Sequence, residues 1–440
     1  MNFDVISADK ALKRKNNNSS WQAAIKKFET SLEIESDTSF KLQTGATVFT
    51  IGSCFARNIE EHLSLLGCDI PTLQFSVPRS EWKGLRANGI LNKYTPASIY
   101  QDIAWAEAIY AKGDNFSNQD AEVFMYRLGN GSVIDLQLGG YNPTSEERFY
   151  ERRKEIYELT RKVFSAHCVT LTLGLVETWK LGDLFVQQPP AHKGMLKDAA
   201  RFDFKVLTYD ECLNFIQNTI DLIRKHNPEA NFLLTTSPVP LERTFTEQNC
   251  LIANMTSKST LRTVSASIAD KNARLDYFPS YEIVTMPGFR ESFDEDMRHV
   301  RDNIVGKIAA QLTRNYFLDV EDTEQLVQLC AIELEGKGEN DFIFKELCKS
   351  QKNRIAKLNS MQLVIYLRSC WRTKERRLAR KAAKEMIKRP LRDHRSLRAV
   401  AHIFPRIGME KQCKAYAKDV LDLDPSNDLA QRILNNPTAN

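Results

Sequence analysis

Short apolar, β-branched runs that stop at glycine or proline punctuate the first two thirds of the chain. Thr47-Val48-Phe49-Thr50-Ile51 has the make-up of a buried strand and ends at Gly52. Immediately after it, Phe55, Ile59, Leu63 and Leu66 recur at intervals of four, four and three, which predicts one apolar helix face, and Gly67 offers a C-terminal stop. Cys168-Val169-Thr170-Leu171-Thr172-Leu173 repeats the strand pattern and ends at Gly174, and Phe232-Leu233-Leu234-Thr235-Thr236-Ser237 is closed by Pro238 and Pro240. Between these two, residues 212–225 set Leu213, Ile216, Ile220 and Ile223 on one helical face. Strand, helix, strand predicts a parallel sheet with right-handed crossovers, so polar groups at the strands' C-terminal ends should share one crevice.

The texture changes towards both ends. Residues 1–44 alternate polar and apolar around an Asn/Ser run at 16–20 and are expected to be a partly ordered lead-in. Past about residue 318 strand-like runs nearly vanish and helical periodicity continues, predicting an α/β domain over 45–318 and a separate all-α domain over 319–440. The stretch from Cys413 through Asp424-Pro425 to Ala430 resembles the second helix and turn of a tetratricopeptide repeat, and 360–386 and 391–404 have helix-pair lengths.

Composition narrows the class. With 440 residues, 42% of them hydrophobic and 27% charged, the chain has enough material for two or three cores. No run approaches the roughly 18 apolar residues of a membrane span, and the charged, Asn/Ser-rich start lacks the apolar stretch of a secretion signal. Nine cysteines (54, 68, 168, 212, 250, 330, 348, 370 and 413) include no CxxC pair; they are expected to be reduced, with no metal site, in a cytoplasmic protein. The net charge of +5 is concentrated between Trp371 and Arg398, where twelve Lys/Arg stand against three Asp/Glu. Such a patch either solvates a helix face or attracts a protein partner, an acidic polysaccharide or an anionic surface, including the inner membrane; no nucleic-acid motif accompanies it, which places membrane or glycan before nucleic acid.

Two motifs carry chemistry. Gly52-Ser53-Cys54 joins the first strand to its helix, so the helix directs unpaired N–H groups and partial positive charge at Ser53, an arrangement that favours an oxyanion. A plain N-cap serine is the competing explanation. Far along the chain Asp296-Met297-Arg298-His299 sets a carboxylate three residues before an imidazole, a spacing that shares one face in a helix or tight turn. A carboxylate so placed orients the imidazole as it takes a serine proton, although the same spacing is common on solvated faces. Cys54, beside Ser53 at a helix start, is a rival nucleophile.

The run Thr50-Ile51-Gly52-Ser53-Cys54-Phe55-Ala56 resembles the signature of the GSCFA family, a bacterial branch of the SGNH/GDSL hydrolases. The resemblance continues through 92–96 (Asn-Lys-Tyr-Thr-Pro), 173–179 (Leu-Gly-Leu-Val-Glu-Thr-Trp), 237–241 (Ser-Pro-Val-Pro-Leu), 253–259 (Ala-Asn-Met-Thr-Ser-Lys-Ser) and 277–282 (Tyr-Phe-Pro-Ser-Tyr-Glu), and ends at Asp296 and His299. It implies a flavodoxin-like three-layer α/β/α sandwich with Ser53 as nucleophile, His299 as general base and Asp296 as its orienting carboxylate. In the wider group a Gly-x-Asn motif supplies an oxyanion donor; here the site reads Gly174-Leu175-Val176, and Glu177 cannot donate when ionised. Gly89 or Asn92 is the alternative donor. His192-Lys193 resembles a recurrent pair suited to an acidic sugar or a donor phosphate, or is plain surface loop, and Ser237 either lends a hydroxyl to the crevice or shapes the loop after its strand. The expectation is an esterase releasing acyl, chiefly acetyl, groups from a carbohydrate without a cofactor. A polysaccharide O-acetyltransferase using acetyl-CoA at the same site is the first alternative, and a non-catalytic scaffold the second.

Overall fold

The computed structural model describes residues 6–13, 19–43, 45–65, 68–84, 86–317, 348, 352–353, 355–358, 360–388, 394–423, 425 and 427–435. The expected boundary at 318, the Gly67 stop and Cys330 lie outside the described residues. Four strands, β1 (Val48–Gly52), β2 (Cys168–Leu173), β3 (Asn231–Thr236) and β4 (Leu275–Tyr277), pair in that order, every neighbour parallel. The first three lie within one residue of the expected strands; β4, only three residues long, was too short to stand out from periodicity. A further fragment borders the other side of β1, where Thr47 bridges Asp69 in parallel and Val48 N–H donates to Asp69 O at 2.9 Å.

Helices that cover the sheet faces or build the C-terminal cluster include α1 (Trp21–Ser31), α2 (Cys54–Leu65), α3 (Pro96–Tyr110), α4 (Tyr209–His226), α5 (Cys250–Lys271) and α6 (Asp302–Tyr316), followed by α7 (Ser360–Arg372), α8 (Arg376–Ile387), α9 (His394–Ile403), α10 (Glu410–Leu423) and α11 (Asp428–Asn435). Alternation along the strands divides the sheet into two buried faces. Phe49, Ile51, Val169, Leu171, Phe232 and Leu234 pack with apolar residues of α3, α4 and α5. Val48, Cys168 and Leu233 turn the other way, towards Phe55, Ile59 and Leu63 of α2 and Ile304, Ile308 and Leu312 of α6. Helices on both faces explain why the strands read as nearly continuous apolar runs. α7 to α11 close around a second apolar cluster of their own, including Leu363, Leu367, Ala382, Leu397, Val400 and Ala417. No helix among the described residues is long and apolar enough to cross a membrane.

The expected lead-in is built into the α/β unit. Phe28, Phe40 and Leu42 are buried in the α6 face, Leu42 bridges Phe317, and the buried Gln311 side chain bonds both backbone groups of Ile34. Isolated apolar residues in a polar context carry no periodicity to announce this.

Gly52 fixes the end of β1. A Cβ there would lie 2.4 Å from Thr172 O and 2.6 Å from Thr172 Cβ, and its φ is 153°. Gly52→Ala is expected to destabilise the fold by about 3 kcal/mol through overpacking against an immobile backbone, measured by urea unfolding.

Candidate active site

β1 delivers Ser53 to the C-terminal edge of the sheet, and α2 starts at the next residue. Ser53 is 2% exposed. Its hydroxyl donates to Ser237 Oγ at 3.0 Å and accepts from Phe55 N–H at 3.3 Å, while its own N–H donates to Thr172 O at 3.3 Å. The hydroxyl thus caps α2 as well as pointing at a second buried serine from the end of β3. Ser237 was expected either to reach the crevice or to shape the loop; it meets Ser53 and also donates its N–H to Leu173 O at 2.7 Å.

The stretch Asn92-Lys93-Tyr94 laces two strand ends together. Lys93 N–H donates to Gly52 O at 2.8 Å, and Tyr94 O accepts from both Gly174 and Leu175 N–H at 2.9 Å. Asn92 Oδ1 accepts from Arg57 Nε at 3.2 Å, which turns the Asn92 amide NH₂ towards the Tyr94 hydroxyl at 3.5 Å. Arg57 and Glu60, both buried on α2, form an ion pair. Glu60 also accepts from Thr50, Thr72 and Asn88, so its charge is fully satisfied by donors from β1 and the 72–88 segment.

Asp296 and His299 stand on a tight turn rather than a helix. Phe293 and Val300 bridge antiparallel at its base, Asp294 N–H donates to His299 O at 2.8 Å, and Arg301 Nε holds Phe293 O at 2.8 Å. Met297 at the tip adopts left-handed backbone, φ 56°, which costs a non-glycine residue on the order of 1 kcal/mol. Within the turn Asp296 Oδ2 pairs with His299 Nδ1, and Oδ1 accepts from the N–H groups of Arg298 and His299 at 2.9 Å each. The His299 and Arg298 N–H groups and the His299 ring hold the Asp296 carboxyl well below the usual carboxylate range. His299 Nε2 is left for another partner, but no hydrogen bond joins it to Ser53, and the His299 side chain is 60% exposed. Arg298 ties this turn electrostatically to the β1–α2 junction, the elbow that carries Ser53: its charge acts on both the Cys54 thiol and the Tyr94 phenol. Burial nevertheless lifts the Cys54 thiol above its ordinary value, outweighing the opposing pull of Arg298, Lys258 and Arg86. A protonated thiol is the weaker nucleophile.

A sequence profile of the GSCFA family matches residues 47–312. The chain belongs to the GSCFA family. No curated protein and no solved structure gives a significant match. Within the GSCFA segments several of the expected donors are already engaged. Gly174 spends its N–H on Tyr94 O, and a Cβ there would sit 3.0 Å from that same carbonyl, so its glycine serves close approach. Gly89 spends its N–H on Arg86 O at 2.9 Å and faces the Trp82 indole. Glu177 accepts from Thr244 Oγ1 at 2.6 Å and Phe245 N–H at 3.0 Å, holding the 244–245 loop. His192 Nδ1 accepts from Gly194 N–H at 3.1 Å within its own turn, and Lys193 is exposed. Of the expected donors, the Asn92 amide meets the Tyr94 hydroxyl at 3.5 Å, and the Cys54 N–H, in the first turn of α2, reaches its own thiol but bonds no backbone carbonyl among the described residues.

The GSCFA segment at 253–259 supplies a feature that motif reading passed over. Asn254, Ser257 and Lys258 lie on one face of α5 and clamp the loops after β2 and β3: Asn254 Oδ1 accepts from Leu241 N–H, Ser257 Oγ from Val176 N–H, and Lys258 Nζ donates to Gly174 O at 2.6 Å and Val239 O at 2.8 Å. Lys258 is 1% exposed, and burial pulls it from its ordinary 10.5 down to about 7, against the weaker upward pull of Cys54. A lone lysine among Ser and Thr on an otherwise unremarkable helix carries no sequence signal for this. Between pH 7 and 10.5 the unfolded chain binds more protons at this position than the folded one, so the Lys258 contribution to stability rises with pH. The wild-type advantage in unfolding equilibrium over Lys258→Met is accordingly expected to grow by about tenfold or more from pH 7 to 9. Parallel urea titrations of the two proteins check this; a pH-independent difference would show that Lys258 does not titrate there.

Proposed function

We propose that this GSCFA protein is a serine-dependent O-acyl esterase acting on acetylated carbohydrate, with Ser53 as nucleophile, His299 as general base and Asp296 as the group that orients the imidazole. The observation that carries the reading is the Asp296–His299 pair, with Nδ1 engaged and Nε2 open, on a turn whose Arg298 is within electrostatic reach of the residue beside Ser53. On substrate binding the exposed turn closes on the elbow, and Nε2 replaces Ser237 as acceptor of the Ser53 proton. Ser53 Oγ then bonds to the ester carbonyl carbon, the proton passes to His299, and His299 returns it to the leaving sugar oxygen as the C–O bond breaks. The Cys54 N–H and the Asn92 amide are the donors available to the oxyanion. Water, deprotonated by His299, then attacks the acyl carbon, and His299 returns the proton to Ser53 Oγ as the bond between Oγ and the acyl carbon breaks and acetate leaves.

Counting the Cys68–Ile70 fragment as a strand places it outside β1, an order of 2-1-3-4-5 that supports a flavodoxin-like, SGNH-type sandwich with its site at the carboxyl ends of the strands. The pairing of α7 with α8 across three residues, and of α9 with α10 across six, supports a repeat-like helical domain. Attack on the acyl-enzyme by a sugar hydroxyl in place of water gives the O-acetyltransferase alternative, with acetyl-CoA as donor. A scaffold without catalysis is favoured by one fact: Ser53 Oγ is already engaged, as cap of α2 and partner of Ser237.

The readouts are acetate and free thiol released from p-nitrophenyl acetate and acetyl-CoA. Ser53→Ala and His299→Ala are expected to lower kcat/KM on the order of 10³-fold or more, and Cys54→Ala to leave it within about threefold. Thiol release that depends on added glycan identifies the transferase, and activity lost only in Cys54→Ala moves the nucleophile. No turnover by the folded protein on either donor or on acetylated glycans leaves the scaffold. Ser237→Ala, which removes the resting acceptor of the Ser53 proton, is expected to change kcat by about tenfold or less, seen in the same assay.

A further inference from the structure

The helical domain carries a cleft of about 860 Å³ between α8 and the turn at 406–408. Arg376, Arg377, Arg380, Lys381 and Lys384 line it from one exposed side of α8, with Lys352 opposite, while Ala379, Ala382, Ala383 and Met386 bury the other side of the helix. Arg376 and Lys384, eight positions apart, are separated by roughly 12 Å along the axis. None of these five α8 cations forms an ion pair with a carboxylate among the described residues. Two are instead held by backbone: Arg380 Nε donates to Ile407 O at 2.6 Å, and Lys381 Nζ to Lys352 O at 3.2 Å. Gly408 makes the first arrangement possible, since its φ is 72° and a Cβ there would lie 2.8 Å from Arg380 Nη2. A carbonyl orients a cation without cancelling its charge, so the cleft concentrates positive potential at a preset geometry.

A flat solvated helix face needs neither the concavity nor the carbonyl anchors. A lipid headgroup plane is flat, whereas these cations face Lys352 across a concavity. Among the described residues the lining holds no aromatic side chain on which bases of a single-stranded nucleic acid would stack; its apolar side chains there are Leu378 and Ile407. Rows of guanidinium forks suit carboxylates or phosphates presented one after another along a narrow chain.

We propose that this cleft binds an acidic polysaccharide, a linear glycan bearing regularly spaced carboxylate groups. The inference stands apart from the chemistry assigned to Ser53. Full-length protein is titrated with fluorescently labelled oligogalacturonate and followed by anisotropy at low and high salt. Binding is expected, weakening with salt, and Arg376→Gln/Arg377→Gln/Lys384→Gln is expected to weaken it about tenfold or more, three exposed charges each contributing modestly. A triple variant that removes the same charge elsewhere, Lys112→Gln/Lys197→Gln/Lys271→Gln, is expected to change affinity less than about twofold, and circular dichroism of both variants to match the wild type. Equal weakening in both variants, no binding at low salt, or tighter binding to phosphatidylserine vesicles or poly(U) overturns the proposal.

Discussion

Everything at the candidate site hangs on how closely two parallel strands approach at Gly52. A side chain at that position would collide with the Thr172 carbonyl, so β1 can run alongside β2 to its last residue only because there is no Cβ. That approach puts the Gly52 carbonyl where Lys93 N–H reaches it and the Ser53 N–H opposite Thr172 O. From this one contact follow the position of the serine, the start of α2 and the path of the 92–94 segment across the strand ends.

The same edge is stiffened by two buried cations used in different ways. Arg57 is neutralised by Glu60, Glu60 accepts from β1 and the 72–88 segment, and Arg57 donates to Asn92 Oδ1, which together fix the rotation of α2 about its axis and the orientation of the Asn92 amide. Lys258 has no carboxylate and is satisfied by two carbonyls. An uncompensated ammonium is costly to bury, and its lowered proton affinity reflects that cost. Stability has thus been spent on holding the loops after β2 and β3 in register, as strained or desolvated groups near functional sites often do.

The central strands and α4 were legible because burial on both faces forces continuous β-branched runs, and amphipathic burial forces a four-three spacing. Ser53 was legible as a position, between a strand and a helix, and Asp296 with His299 as a spacing; the turn between them brings those two side chains together through backbone that no periodicity describes. The donors were not legible. Whether Gly174 has a free N–H depends on which carbonyl a distant segment presents, and Tyr94 O takes it, while Gly89 gives its own to Arg86 O three residues back in a turn that no periodicity announces. The clamp on α5 was missed for a similar reason, since Asn254, Ser257 and Lys258 look like ordinary polar helix positions until the loops that they hold are in place.

The bridge from Leu42 to Phe317, reinforced by Gln311 gripping both backbone groups of Ile34, joins the two ends of the α/β unit across nearly its whole length. Contacts so far apart in sequence form late, because the loop they close is long. During synthesis the apolar face carrying Phe28, Phe40 and Leu42 therefore waits until α6 has left the ribosome. Growing chains of this protein expose that face for most of their elongation, and the α/β unit is sealed only when its last helix arrives to meet its first residues.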